Sequence, residues 1–241
     1  MKEKNPSLRM RFKVLKTIIL KDLKSELKQL SDVFSIFLFG IISIFVFSSA
    51  YNFITQNQTI STEIFVIQTW IVVFFIMIFI MAKLLIKEKE SGTLGGLISS
   101  PISSSMIIVS KTIYCFILLS FIELLLLVFG FFISNPLIQV LNPFQLFNYI
   151  ILGILFPTFN LSVCGTIVST FSMYSKNKSF ILPILFFPII LPVINPIISI
   201  NVSLLEGLTF ADIVYEFLFL LFHALLMYSI LILISDELLS N

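Results

Sequence analysis

Long apolar runs separated by short polar segments form the main pattern of this chain. Six of the runs have at least the roughly 20 residues that a helix needs to cross a bilayer core of about 30 Å. Apolar and polar residues do not alternate within them, as they would in the strands of a membrane β-barrel. The pattern predicts an all-α, polytopic membrane protein with six transmembrane helices, at residues 33–54, 64–86, 106–134, 146–171, 180–200 and 212–235.

The segment before the first apolar run has a different periodicity. Its apolar residues recur every three or four positions, and its lysines occupy the positions between them, as in an amphipathic helix. Such a helix is expected to lie in the membrane interface with its lysines near anionic lipid headgroups. The alternative is an ordinary basic flank that only sets the topology. The apolar positions are Phe12, Leu15, Ile19, Leu23, Leu27 and Leu30.

The positions of the 15 basic residues set the predicted orientation. Nine precede the first run, four surround the second connection and two lie in the fourth, so all fall on one side of a six-helix arrangement. Short basic flanks stay in the cytoplasm, so we expect both termini there, in the inner membrane of a prokaryote, with no cleavable signal. The predicted parts are an N-terminal segment at 1–32, a transmembrane domain at 33–235 with cytoplasmic loops at 87–105 and 172–179, and a tail at 236–241.

The composition agrees with a membrane protein and provides few candidates for a catalytic or metal-binding site. Hydrophobic residues make up 58% of the chain and charged residues 12%, which excludes an ordinary soluble domain. The two cysteines, Cys115 and Cys164, lie in different predicted spans without paired spacing. We therefore expect them to be packing residues that form neither a disulfide nor a metal site.

One polar stretch, KEKESGTLGGLISSPIS at 87–103, separates the second and third runs. A short helix is expected to begin near Glu88, because acidic residues at its start suit the positive end of the helix dipole. Glycines permit tight bends and the close approach of another surface, and Ser100 with Pro101 resembles an N-cap and first-turn pair. The residues alone leave a partner-docking elbow and a plain surface loop both open. The apolar side of the helix would be Leu94, Leu97 and Ile98, and the glycines are Gly92, Gly95 and Gly96.

This stretch resembles the cytoplasmic loop of the type-2 ATP-binding-cassette (ABC-2) export permeases. In that loop a charged span end is followed by Gly-Thr-Leu, a leucine-containing turn and Ser-Pro. The proline-rich fifth run, FILPILFFPIILPVINPI, is similar to the fifth span of the heme exporter B (CcmB) family. Gly95 and Gly96 stand where that family commonly has Glu after Thr-Leu. The matching residues are Glu90, Gly92, Thr93, Leu94, Leu97, Ser100, Pro101, Lys111, Pro183, Pro188, Pro192 and Pro196.

The resemblance implies a transport subunit with a type V exporter-like fold rather than an enzyme. A separate ATPase would bind ATP, because the sequence has no G-x-x-x-x-G-K-[ST] phosphate loop. The expected partners are this ATPase, a second permease chain (identical or related), heme-handling membrane proteins and the bilayer, without nucleic acid. Heme would be a cargo, with no cofactor bound covalently. The ATPase-coupling residues would be Glu88, Glu90, Gly92, Thr93, Leu94, Gly95, Gly96, Leu97, Ser100 and Pro101.

Three ionisable residues within the predicted spans, Glu123, Glu216 and His223, are pathway candidates because such groups are costly in a bilayer. Glu123 is expected to face the bundle interior and to be protonated or to bond Ser120 or a residue of another span. His223 is the only histidine. Heme ligation and a packed, hydrogen-bonded side chain remain its two alternatives.

The four prolines of the fifth run and two lysines near span ends lead to further predictions about the structure. Each proline of the fifth run removes one N–H from the helix, and the spacing keeps them broadly on one side. We expect a bent helix that packs against protein, either with a fixed kink or as a moving gate. Lys83 and Lys111 lie near span ends, where we expect them to snorkel to water without a special role.

Two further functions are weighed against a heme-exporting permease. An ABC-2 permease for a lipid, drug or polysaccharide would leave c-type cytochrome assembly normal when it is deleted. An intramembrane enzyme would need convergent catalytic groups. The sequence contains no H-E-x-x-H, no paired-aspartate motif and no G-x-S-x-G, so we expect neither a catalytic nor a metal site.

Overall fold

The computed structural model describes residues 8–56, 59–99, 102–136 and 142–240, and every regular element in these ranges is helical. Six of the described helices are long and apolar enough to cross a membrane, which confirms the prediction of an all-α protein with six spans. A 3₁₀ turn, Phe210–Ile213, leads into the last of them. The helices are α1 Leu8–Lys28, α2 Leu30–Ile54, α3 Thr62–Glu90, α4 Leu94–Ile98, α5 Ser104–Ser134, α6 Pro143–Ser172, α7 Lys178–Leu205 and α8 Val214–Ser240.

The amphipathic helix α1 lies against α5 and is separated from α2 by a single residue. Ile18, Asp22 and Glu26 follow one another at intervals of one turn and are buried against the bundle. Phe12 and Leu27 are 77% and 65% exposed, as an interfacial helix requires. The inward face of α1 thus carries two carboxylates that the apolar periodicity did not indicate.

Helix α6 occupies the centre of the bundle, where it contacts α3, α5, α7 and α8. It is rich in small polar residues, which let neighbouring backbones approach closely inside a membrane. Four hydroxyl side chains, each one turn apart, donate to the carbonyl of the residue four positions earlier, so their polar groups are satisfied within the helix. They belong to Thr158, Ser162, Thr166 and Thr170.

A close contact between α3 and α6 occurs at Gly165. A Cβ atom at this position would lie 1.8 Å from Met77 Cε and 3.1 Å from Met81 Cγ. Both methionines are fully buried, so they have little room to move aside. Gly165 therefore sets how closely these two helices pack.

Helix α7 runs unbroken through its four prolines and packs against α3, α6 and α8, as expected for this span. Pro188 and Pro192 are exposed, and Pro183 and Pro196 are half-buried, so the prolines do not pack inward within this chain. The opposite side packs instead, because it carries larger apolar side chains whose burial is more favourable. That buried ridge consists of Leu182, Phe186, Ile190, Val193, Ile197 and Ile200.

Gly165→Val is expected to lower the free energy of unfolding by about 1–3 kcal/mol, because the added carbons overfill the contact with Met77. Gly96→Val is the matched control, since a Cβ at Gly96 would meet nothing within 4 Å. Thermal unfolding of the detergent-solubilised protein measures both variants. Equal losses in the two would contradict the packing argument.

Candidate functional site

A π-helical turn, Ala82–Ile86, divides α3 into a membrane-embedded part and an end segment, Lys87–Glu90. Such a turn contains one extra residue, which interrupts the regular ladder of backbone hydrogen bonds. Ser169 of α6 bonds both sides of the interruption: its hydroxyl donates to the Met81 carbonyl at 2.9 Å and accepts from the Leu85 N–H at 3.3 Å. A neighbouring helix therefore holds the π turn in place.

The extra residue also decides which side chains share a face of α3. Lys83 and Glu88 are five positions apart, a spacing that separates them on a regular α-helix. Across the π turn both reach α1, where Asp22 and Glu26 lie one turn apart. Lys83 Nζ lies 2.5 Å from Glu26 Oε1, and Lys21 donates to Glu88 Oε1 at 2.8 Å. The π turn thus aligns two charged residues of α3 with α1.

Four charged side chains form a closed ring, the ionic ring, which joins α1, α3 and α5. Lys111 of α5 donates to Asp22 Oδ2 and to Glu88 Oε1, each at 2.8 Å. Lys21 completes the ring, with its Nζ 3.2 Å from Asp22 Oδ1 and 2.8 Å from Glu88 Oε1. Positive and negative groups alternate, so each side chain lies between two opposite charges.

Burial makes the pairing within the ionic ring necessary. The side chains of Lys111 and Asp22 are only 2% and 8% exposed, and breaking a buried ion pair costs about 3–5 kcal/mol. Burial alone would lower the pKa of the Lys21 ammonium, but its hydrogen bonds and charge pairing with Glu88 and Asp22 outweigh burial and raise that pKa. Pairing within the ring therefore stabilises the charged form of Lys21 against the effect of burial.

A second set of contacts lies one turn further along α1. Lys83, already paired with Glu26, also lies 3.3 Å from Asp32 of α2, and Tyr114 of α5 donates to Glu26 Oε2 at 3.2 Å. The prediction that Lys83 and Lys111 snorkel without a special role is therefore wrong. Their ammonium groups meet carboxylates inside the protein, which removes the need to reach water.

A glycine turn joins α3 to α4 and contradicts one detail of the prediction. Gly92 has φ +71°, and its N–H donates to the Lys89 carbonyl at 3.2 Å, while the Thr93 N–H donates to the Glu88 carbonyl at 3.0 Å. This is a Schellman motif, whose left-handed position favours glycine. Glu88 and Glu90 therefore end α3 and do not begin the short helix. Their charges are unfavourable at this end of the helix dipole and are balanced by nearby lysines.

The connection between α6 and α7 contacts the other side of this turn. Lys178 donates to Glu90 at 3.0 Å, and Lys89 Nζ lies 3.6 Å from the centre of the Tyr174 ring. Surface ion pairs and exposed cation–π contacts are each worth about 1 kcal/mol or less. The end of α3 is therefore held strongly towards α1 and weakly towards α7.

Helix α4 presents a glycine face to the outside. Leu94 is buried and Leu97 packs partly against the core, as predicted, whereas Ile98 is 37% exposed. Gly95 and Gly96 are exposed, and a Cβ on either would meet nothing within 4 Å. The outer face of α4 is therefore bare backbone beside one apolar side chain.

Sequence reasoning missed Asp22 and Glu26. The sequence does contain a signal, because two acidic residues at i and i+4 interrupt a strongly basic helix. Ser100 and Pro101, which were predicted to start the third span, lie outside the described residues. Helix α5 begins after Ser103, whose extended backbone is that of an N-cap.

Deep in the bundle, Glu123 of α5 bonds Thr158 of α6, so the expectation that it is buried and bonded to another span is confirmed. Thr158 Oγ1 is also bonded to the Ile154 carbonyl, at 2.7 Å. A hydroxyl has one proton and can donate to only one of the two oxygens. When the hydroxyl donates to the Ile154 carbonyl, the contact between Thr158 and Glu123 requires a proton from the Glu123 carboxyl. The geometry therefore fits a neutral Glu123.

His223 of α8 is bonded to α6 through Asn160. The Asn160 amide donates to the Leu220 carbonyl at 2.9 Å, which turns its oxygen towards His223 Nδ1 at 3.0 Å. Nδ1 therefore carries the ring proton in the neutral form, and Nε2 keeps its lone pair. Glu216 accepts from Ser199 of α7 at 3.4 Å. The three pathway candidates are thus held by three different partners and do not form one cluster in the described part of the chain.

The six apolar helices define a multi-pass membrane protein, and the short helix at their charged end is the feature expected of a permease. A family model described as CcmB protein matches residues 13–234. The chain belongs to the CcmB family, whose members are permease components of heme export in cytochrome c maturation. This confirms the family resemblance of the loop and of the proline-rich helix. No curated protein matches the chain.

Glu123→Gln is expected to fold as stably as the unmodified chain, because an amide N–H can donate to Thr158 as the protonated carboxyl does. Glu123→Ala is expected to lose about 1–3 kcal/mol through the missing hydrogen bond alone. Infrared difference spectra should show the carbonyl band of a protonated carboxylic acid, absent from the Gln variant. The exposed Glu63 provides the control Glu63→Gln, and loss of a carboxylate band in Glu123→Gln would contradict a neutral Glu123.

Proposed function

We propose that this chain is the transmembrane permease subunit of an ATP-binding-cassette exporter that delivers heme for c-type cytochrome maturation. A separate ATPase subunit supplies the energy, and the chain itself catalyses no reaction. Membership of the CcmB family supports this class. The observation that supports coupling between this chain and the ATPase is α4, a short helix with an open glycine face at the end of a membrane span.

The charged end of the bundle is the proposed cytoplasmic end, where the ATPase binds. Helix α1, the end of α3, the start of α5 and the α6–α7 connection all carry lysines there. Short basic segments of this kind stay in the cytoplasm. Both termini then lie in the cytoplasm of a prokaryote, with the spans in its inner membrane.

In this proposal the ATPase contacts the outer face of α4. Gly95 and Gly96 let a partner surface come close to the backbone, and the exposed Ile98 adds an apolar contact. Leu94 anchors the helix to the bundle, so a push on α4 reaches α3. The Glu88 side chain is bonded within the ionic ring and shapes the turn from inside. The Glu90 side chain is 60% exposed and remains a candidate contact for the ATPase.

A second permease chain is proposed to cover the outer face of α7. Prolines cannot donate to the carbonyls of Ile184, Pro188 and Pro192, which lie four residues before a proline. The hydrocarbon core of a bilayer provides no donor either. A protein partner and the cargo pathway between the two chains would supply polar neighbours, and heme-handling membrane proteins would receive the heme at its outer end.

Gly95→Trp is expected to weaken binding of the ATPase by about tenfold or more, because a large side chain would fill the space that the partner must occupy. Leu208→Trp is the control, since Leu208 is 47% exposed in the connection at the opposite end of the bundle. Co-purification of the ATPase with each variant from membranes measures the effect. Equal recovery with Gly95→Trp and the unmodified chain would contradict docking on α4.

Two further measurements separate the parts of the proposal. Reporter tags that place the α3–α4 turn outside the cytoplasm would contradict the orientation. A deletion strain that assembles c-type cytochromes normally would show that the cargo is a different one, such as a lipid, drug or polysaccharide.

A further inference from the structure

We propose that a groove between α2 and α5 is a binding site for one anionic phospholipid. An acyl chain of the lipid lies in the groove, and Lys24 and Lys28 of α1 bind its headgroup. The groove has a volume of about 530 Å³. Because the ligand comes from the bilayer, the site is independent of the cargo and of the ATPase. It is a defined site, in contrast to the general attraction between basic helices and membrane surfaces.

Contacts at two levels leave the groove open between them. At the charged end of the bundle, the ionic ring holds Asp22 of α1 against Lys111 of α5. Further along, α2 and α5 meet at Gly40, where a Cβ atom would lie 2.6 Å from Leu126 Cδ2. The groove occupies the interval between these two contacts. The same two contacts therefore hold its walls apart and fix its length.

The lining of the groove suits a lipid chain that enters from the end near α1. It comes from residues 30–37 of α2 and 121–125 of α5, and every lining residue except Ser31 is apolar. Phe34 and Phe121, on opposite walls, are 62% and 55% exposed, so side chains of this chain do not fill the space. Ser31 is near the start of α2, where its hydroxyl can donate to an ester oxygen of the lipid.

The dimensions of the groove favour a hydrocarbon chain over a membrane-spanning helix of another protein. Residues 30–37 cover about 10 Å along α2, at 1.5 Å per residue. A helix of this length and about 10 Å in diameter would occupy roughly 800 Å³, which exceeds the groove volume of about 530 Å³. An acyl chain is thinner and can enter between the phenylalanine rings. Close van der Waals contact holds it there, because lipid tails are as apolar as leucine.

Two lysines of α1 supply the charge that selects an anionic headgroup. Lys24 and Lys28 are exposed, are one helical turn apart, and precede the groove by only a few residues. Neither forms an ion pair with a described carboxylate. Asp32, in the first turn of α2, lies 3.3 Å from Lys83, so its charge is already balanced. The phosphate of a lipid in the groove therefore meets two ammonium groups without other partners among the described carboxylates.

The experiment measures which phospholipid the full chain retains after purification in a mild detergent. The protein is mixed with equal amounts of phosphatidylglycerol, which is anionic, and phosphatidylcholine, which is zwitterionic, and native mass spectrometry counts the bound lipids. We expect one retained phosphatidylglycerol, favoured by about tenfold or more, because each lysine near an anionic headgroup contributes about fivefold. Equal retention of the two lipids would overturn the proposal.

The double variant Lys24→Gln with Lys28→Gln should lower this preference by about tenfold. Lys13→Gln with Lys16→Gln is the matched control, because these two lysines are also exposed on α1 but lie further from the groove. The control should keep the preference, although it removes the same charge. Equal losses in the two double variants would show a diffuse attraction to α1 and would rule out a defined site.

Val33→Trp should reduce retention of phosphatidylglycerol, because Val33 lines the groove and the larger side chain would fill it. Val46→Trp is the matched control, since Val46 is 57% exposed on the same helix and does not line the groove. Thermal unfolding shows whether both variants fold. Unchanged retention by folded Val33→Trp would place the acyl chain elsewhere and would contradict the proposal.

If Val33→Trp does not fold, photo-crosslinking of the unmodified chain decides. A phosphatidylglycerol with a photoreactive acyl chain should label residues 30–37 and 121–125 several-fold more than α8, whose Phe222 is 70% exposed. Equal labelling of the three segments would indicate ordinary contact with the bilayer and would overturn the proposal. A second protein chain crosslinked at residues 30–37 in place of the lipid would also overturn it.

Discussion

Burial of the Lys111 ammonium is the constraint on which the charged end of this protein depends. An ammonium group with a 2% exposed side chain is tolerated only if carboxylates surround it. One of these comes from α1 and the other from the end of α3, so three helices must meet at one point. The π turn makes this meeting possible, because without its extra residue Lys83 and Glu88 would not face α1 together. The position of α4 follows from the same arrangement, since Glu88 also ends α3.

The spans could be predicted from the sequence because a helix that crosses a membrane needs a long, uninterrupted apolar run. The third apolar run and α5 end at the same residue, Ser134, after which Asn135 takes a left-handed conformation with φ +41°. The predicted fifth span ends at 200, whereas the helix continues beyond that residue. Asn201 looks like an interruption in the sequence, but its amide donates to the Ile197 and Gly153 carbonyls at 2.8 Å. A polar residue whose amide N–H groups are bonded in this way can continue a helix, and α7 runs on to Leu205.

The charged end could not be predicted in the same way, because it depends on contacts between residues far apart in the chain. Lys111 and Asp22 are separated by 89 positions, and no local pattern pairs them. The π turn leaves no periodic signal in an apolar run, so the common face of Lys83 and Glu88 was hidden. The likeness to a known loop did indicate a short helix after the second span, and Leu94 and Leu97 lie on its inner side. It did not reveal that Glu88 belongs to the helix before the turn.

The hydroxyl groups of α6 have a consequence for motion within the bundle. Ser162, Thr166 and Thr170 donate to their own helix, so these three bonds do not fasten α6 to its neighbours. The bonds that do so belong to Thr158, Asn160 and Ser169. If surrounding helices rotate or slide along it, the first three hydroxyl groups lose no partner and none of the three is left bare in the hydrocarbon. Movement of a neighbouring helix along α6 therefore costs the bonds of Thr158, Asn160 or Ser169, while Ser162, Thr166 and Thr170 keep theirs.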